Sequence, residues 1–259
     1  MQKGGLENIH SESLLENVEI ILKNSLKDNV VLGPVENLEI RLENENDTDK
    51  DGIPDWYELQ EMDEWKANPD HRDIFVEIDR MEDSNWFVPS VKQELRGIFE
   101  NPPIINPDGT TGVKLHLVES DVVPSVDEFD SSTLTEYIEN YKDHGRGFYY
   151  CLLLGDSVGY GATAVLGAQG FYFYPSAGLD KNYSEISSTF MHELGHCLGL
   201  FEVFDGIDSK KYSFSGYRSV MNYSSPNEFY NYSSGSPFDD WGYLENEGFF
   251  FPPSARTLG

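Results

Sequence analysis

The sequence predicts an α/β (α+β) domain: a mixed, mostly parallel twisted sheet, followed by a largely irregular C-terminal part. Three observations carry this. From Asp73 onward, apolar runs of strand length alternate with stretches of helical periodicity. The run Phe148–Leu154 is apolar throughout, as a fully buried strand is. After Gly199 the regular pattern fades into Gly, Ser, Asn and Tyr. A strand–helix–strand–helix–strand order implies right-handed crossovers and parallel pairing.

In chain order, residues 6–26 place Leu, Ile and Val at roughly helical spacing, and a short strand follows around Leu38–Leu42. Residues 43–58 are dense in acidic and turn residues and read as a loop. Ile74–Ile78 is a buried strand, and Pro89–Phe99 a helix with Pro in its first turn. Gly112–Val118 is the second strand. A helix over Ser132–Tyr141 is capped by Asp130, Ser131 or Ser132. Phe148–Leu154 and Phe171–Tyr174 are further strands, separated by the glycine-rich stretch 155–170, and a long helix starts near Ser184.

The 259 residues hold 18 Lys and Arg against 46 Asp and Glu, a formal net charge of −28. Such a surface repels nucleic acid and anionic membranes, so neither is an expected partner. It suits divalent cations, a salty medium or basic substrates. No apolar run approaches the ~20 residues that cross a bilayer. The opening MQKGGLENIHSES has no basic-then-apolar signal pattern. The expectation is a secreted protein whose signal peptide has already been removed. Cys151 and Cys197 read as buried thiols, with a disulfide between them as the lesser option.

Two segments carry metal chemistry. In the first, acids stand at positions one, three, five, nine and twelve of a loop: Asp47, Asp49, Asp51, Asp55 and Glu58. Gly52 stands at six and Ile53 offers its carbonyl at seven, the ligand order of an EF-hand-type calcium loop. Carboxylate oxygens suit calcium rather than zinc. The segment resembles the calcium repeats of thrombospondin-type-3 and dockerin-like modules. Pro54 at position eight, and the lack of a clear helix before Asp47, depart from a true EF-hand.

The second segment is His192-Glu193-Leu194-Gly195-His196, an HExxH motif. Four residues apart on a helix, both imidazoles face one ion, and Glu193 stands beside it as general base. Gly199 can take the positive φ with which such a helix must stop for the chain to bring round a third ligand. Glu202 follows three residues later, and Ser219-Val220-Met221-Asn222-Tyr223 lies further on.

At these residues the chain resembles the metzincin clan of zinc peptidases, marked by HExxHxxGxx, a third ligand and a Met-containing turn. The resemblance runs from about Asp73 to the C-terminal region and is strongest between Phe190 and Tyr223. It implies a metzincin-like catalytic domain over residues 73–259, with helices above an active-site cleft. The upper half would span about 73–199 and the lower half about 200–259. Residues 46–72 would form the calcium loop and a linker, and 1–45 a helical or extended pro-segment or packed extension.

Carried over, His192 and His196 match the first two zinc ligands, Glu193 the general base and Met221 the structural methionine. Tyr223 matches a tyrosine that steadies the oxyanion or binds the ion. The third-ligand position holds Glu202 where His or Asp is usual; Asp205 and Asp208 stand behind it as substitutes. Gly161–Ala168 is the expected edge strand for an extended peptide, and Tyr230 and Tyr232 the expected walls of a specificity pocket. The implied activity is endopeptidase cleavage of peptide or protein substrates by zinc-activated water. Two alternatives stay open: a peptidase of another zincin clan with Glu228 or Glu245 as third ligand, and a zinc-bearing but inactive binding module.

Overall fold

The computed structural model describes residues 46–158, 161–165, 169–175 and 183–250, with Tyr183 by its backbone alone. The helix expected over 6–26 and the strand over 38–42 lie outside these residues. The described residues belong to one compact unit.

Among the described residues, five strands form one sheet: β1 (Asp73–Met81), β2 (Lys114–Val123), β3 (Phe148–Leu153), β4 (Ala162–Val165) and β5 (Gly170–Phe173). Their order is β2-β1-β3-β5-β4. The first four in that order pair in parallel, and β4 runs antiparallel along β5 at the edge. The sheet is therefore mixed and mostly parallel, as the alternating pattern predicts.

Helices cover both faces, which is why β3 can be apolar throughout. Tyr149, Cys151 and Leu153 point to the face packed by α2 (Pro89–Phe99) and α4 (Tyr183–Leu198). Tyr150, Leu152 and Leu154 point to the other, covered by α3 (Ser131–Tyr141) through Leu134 and Tyr137. The carboxylate of Asp130 caps α3, accepting from the amides of Ser132 and Thr133 at 2.9 Å each. Cys151 and Cys197 are buried free thiols.

The structure departs from the pattern-based reading in three places. β2 starts at Lys114 rather than Gly112 and runs on to Val123 along an irregular register with β1. Its distal half alternates exposed polar residues because it is an edge strand, and that hides it from an apolar count. A helix α1 (Asp55–Glu61) begins inside the segment read as loop, with Pro54 before its first turn. The C-terminal part holds a helix α5 (Asp240–Glu247), too short to stand out by periodicity, with Asp239 accepting from Gly242 N as its cap.

Among the described residues, no helix is long and apolar enough to cross a membrane. His116 and His144 stack on Phe75 and Phe148 and bond to the buried carboxylates of Asp73 and Glu77.

Candidate metal centre and active site

Helix α4 is two-sided. Phe190, Met191, Leu194, Cys197 and Leu198 are buried in the main core. Burying each such side chain stabilises by about 1.5–3 kcal/mol, enough to fix the helix rotation. Ser187 Oγ adds a 2.6 Å hydrogen bond to Glu94 Oε2 on α2. With that face inside, His192, Glu193 and His196 come together on the side facing the cleft. Gly199 ends the helix at φ +119°, and Leu200 N closes onto Gly195 O at 2.9 Å.

Both imidazoles are oriented from behind. His192 Nδ1 lies 2.9 Å from Val220 O and His196 Nδ1 2.8 Å from Leu200 O. A carbonyl only accepts, so each Nδ1 carries the hydrogen and each Nε2 keeps its lone pair. The two Nε2 atoms lie 3.2 Å apart, and Asp208 Oδ1 stands 3.0 Å from one and 3.3 Å from the other. Donors about 2.0–2.1 Å from a tetrahedral ion would stand ~3.3 Å from one another. His192, His196 and Asp208 thus form a group that can hold one metal ion.

Of the carboxylates expected from spacing, Glu202 with Asp205 and Asp208 behind it, the structure brings Asp208 to the imidazoles. Glu202 lies outside this group; it is exposed, at φ +47°, in the turn that follows Gly199. The chain needs six more residues to come back under the helix. It does so by pairing with the methionine turn: Asp208 N donates to Met221 O at 3.0 Å and Tyr223 N to Ser209 O at 3.1 Å. Asp205 is held elsewhere, in an ion pair with Lys211. Glu228 and Glu245 are not in the group either, and Glu245 Oε1 accepts from Ile105 N at 2.8 Å. Burial alone would push the Asp208 carboxyl up, but hydrogen bonds and charge from His192 and His196 in their protonated forms outweigh it and hold it well below the usual range.

Glu193 is buried beside the group. That burial pushes its carboxyl up, partly offset by the charges of His192 and His196 and by a hydrogen bond from the Ala164 amide. Ala164 belongs to β4, so the sheet edge reaches the expected base. Of the expected 161–168 edge, the strand covers Ala162–Val165, and 166–168 lie outside the described residues. Tyr223 is 54 % exposed and stacks on His192 with ring centroids 5.5 Å apart. Partial burial and the neighbouring Asp208 push its phenol up to about 12. A cleft of about 360 Å³ opens here, lined by Ala162, Ser188, Thr189, His192, Glu193 and Tyr223 among others. A larger hollow of about 490 Å³ lies elsewhere, between Asp47, Gly199 and Phe250, and its walls carry no histidine.

Beneath the helix the Met221 side chain is fully buried. A Cβ on Gly195 would stand 2.6 Å from Met221 Sδ and 3.0 Å from Tyr232 Cε1. The glycine inside HExxH is thus the space into which the methionine turn fits. Tyr232 is buried there, donating to Met191 O at 2.6 Å, and does not line this cleft. Tyr230 bonds to Glu94 and does not line the cleft. Gly195→Ala is expected to lower stability by about 1–3 kcal/mol despite its better helix propensity, since the overpacking meets a closed core. A urea melt with an unmoved midpoint would count against this packing.

Sequence reasoning missed Asp240. It is buried at the start of α5, accepting from Tyr217 Oη at 2.6 Å, from Ser233 N at 2.8 Å and from Ser219 Oγ. Ser219 Oγ in turn accepts from Met221 N at 3.1 Å. A buried carboxylate therefore braces the turn whose Val220 carbonyl orients His192. No local pattern marks Asp240, because its partners lie in other segments.

Neither a family model nor a curated protein matches the sequence. Among solved structures, a zinc-dependent peptidase from Methanocorpusculum labreanum (strain Z) is similar at a TM-score of 0.34 and 13% identity. The match covers 57% of this chain and 87% of that one.

The acidic loop forms a second cluster, in which carboxylate oxygens of Asp47, Asp49 and Asp51 approach one another. Asp47 Oδ2 accepts from Gly52 N at 2.9 Å, and Asp51 Oδ2 from Asp73 N, the first residue of β1, at 3.0 Å. Ile53 packs with Met62, Phe75 and Phe148. Asp55, expected as a ligand at position nine, instead accepts from Thr48 N at 2.8 Å and from Asn46 Nδ2, closing the loop. Its carboxylate is satisfied by these donors, which is why it stays at the loop neck.

Proposed function

We propose that the chain is a zinc-dependent endopeptidase of metzincin-like type, acting on extended segments of peptides or proteins. One observation carries the reading: two oriented imidazoles and a carboxylate converge at 3.0–3.3 Å beside the buried Glu193. Two nitrogens and one carboxylate oxygen are a donor set suited to zinc, and three protein ligands leave a position for water or substrate. His192, His196 and Asp208 would hold the ion. When bound, zinc supplies Lewis acidity that polarises the scissile carbonyl and makes a water acidic at neutral pH.

The remaining work falls to the chain's own groups. Glu193, kept basic yet desolvated, takes the proton from the attacking water and returns it to the leaving amine. Tyr223 stays protonated at neutral pH, so its Oη can donate to the oxyanion. The substrate's backbone adds to the exposed edge of β4, and side chains enter the cleft between Ser188, Thr189 and Tyr223. The helix stop at Gly199 and the methionine turn under Gly195 support the metzincin-like type. A clan whose third ligand is a later glutamate needs neither. The intact, buried Glu193 favours an enzyme over an inactive binding module. A secreted setting belongs to the same reading, and nucleic acid has no place in it at a net charge of −28. Calcium has no place in this cleft; its proposed site is the acidic loop.

The test is a digest of a peptide library by the full chain with metal analysis. About one zinc per chain is expected, with cleavage stopped by a zinc chelator and restored by zinc. A zinc-loaded chain that cuts no peptide in the library would leave the inactive binding module standing.

A further inference from the structure

Glu58 lies on α1, directly after the acidic loop. It is only 1 % exposed, on the inner side of α1, and among the described residues neither of its carboxylate oxygens has a hydrogen-bond partner. Asp49 is equally buried, with Oδ2 unpartnered. Burial, then the charges of Asp49, Asp73, Asp47 and Asp55, push the Glu58 carboxyl up to about 9. Among the described residues, the buried Arg72 feels the charges of Asp49, Asp51 and Asp47, but its hydrogen bonds go to Ile105 O, Asn106 Oδ1 and Glu245 O. Unpaired buried carboxylates are costly, and buried charges are as a rule paired or bound to a metal.

We propose that Asp47, Asp49, Asp51 and Glu58 bind one calcium ion. The donors are oxygens alone, and the spacing places a glutamate at the twelfth position, where it can offer both oxygens to an ion that takes six to eight ligands. The loop also ties separate parts of the fold. Asp51 receives the first amide of β1, and Lys50 O receives Phe249 N at 2.9 Å. The next residue, Phe250, donates its N–H to Leu198 O, the last residue of α4, at 2.9 Å. A loaded loop therefore clamps the start of β1 and the end of the helix that carries the metal motif.

The test uses the full chain stripped with a calcium-selective chelator. Calorimetry should read one calcium per chain, and calcium at ~100-fold over its Kd should raise the melting temperature by about 5–10 °C. Glu58→Gln should lose the calcium-dependent shift. In chelator it should melt above the unsubstituted chain, because the amide removes the cost of keeping the buried Glu58 carboxyl protonated near neutral pH. An unsubstituted chain that gives no heat with calcium and no shift would overturn the site, as would a Glu58→Gln chain that still binds with unchanged affinity. Neither readout involves peptide hydrolysis, so the outcome is independent of the peptidase reading.

Discussion

Glu193→Ala is expected to lower kcat for peptide hydrolysis by roughly 10²–10⁴-fold, the usual contribution of a positioned general base. Zinc should stay bound, because Glu193 is not among the converging donors His192, His196 and Asp208. Its side chain touches the edge strand instead, taking the Ala164 amide hydrogen bond. Truncation would leave that amide to water in an open cleft, a modest cost to stability. Glu193→Gln keeps the size and an acceptor for Ala164 but cannot take a proton, so it should be as inactive as the alanine variant and closer to normal in stability. Metal analysis, a denaturant melt and kcat on one cleaved peptide measure the three effects separately. Undiminished cleavage by either variant in a clean preparation would sink the role of Glu193.

Much of the fold can be read from the sequence because its strands and helices have large, regular apolar faces. Phe148–Leu153 buries all six residues, and Pro89–Phe99 appears with the expected ends, set by Pro89 and by the turn after Phe99. What escapes the reading depends on neighbours that are remote in sequence. The far half of β2 is held by its register with β1 rather than by its own apolar content. Asp240 matters through Tyr217, Ser219 and Ser233, none of which lies next to it.

The site divides the same way. His192, Glu193 and His196 are legible because helical spacing alone brings them to one face. The third donor is not, because it is delivered by a loop. Spacing from the helix end favours Glu202, whereas the backbone pairing of Asp208 with Met221 decides which carboxylate returns to the imidazoles. At the acidic loop, Asp47, Asp49 and Asp51 come together as their spacing implies, while Asp55 is drawn off by Thr48 and Asn46.

That division makes the loop after Gly199 the place to test. Asp208→Ala is expected to weaken zinc binding by more than the roughly 10–100-fold that loss of an outer hydrogen-bond partner costs, and activity should fall with occupancy. Glu202→Ala should leave zinc content and kcat near those of the unsubstituted chain, since that side chain is exposed and outside the converging group. Asp205→Ala should likewise spare the metal, at the cost of an exposed ion pair with Lys211 worth at most about 1 kcal/mol. Asp208→Asn separates charge from reach: it fits the same space and keeps one oxygen, but it removes the negative charge that both imidazoles face. Intermediate zinc affinity is expected for it, below the unsubstituted chain and above Asp208→Ala. Competition with a chromogenic chelator gives all four affinities on one scale. Loss of zinc in Glu202→Ala with retention in Asp208→Ala would mean that the loop rearranges when metal binds and that the glutamate three residues past Gly199 is the ligand after all.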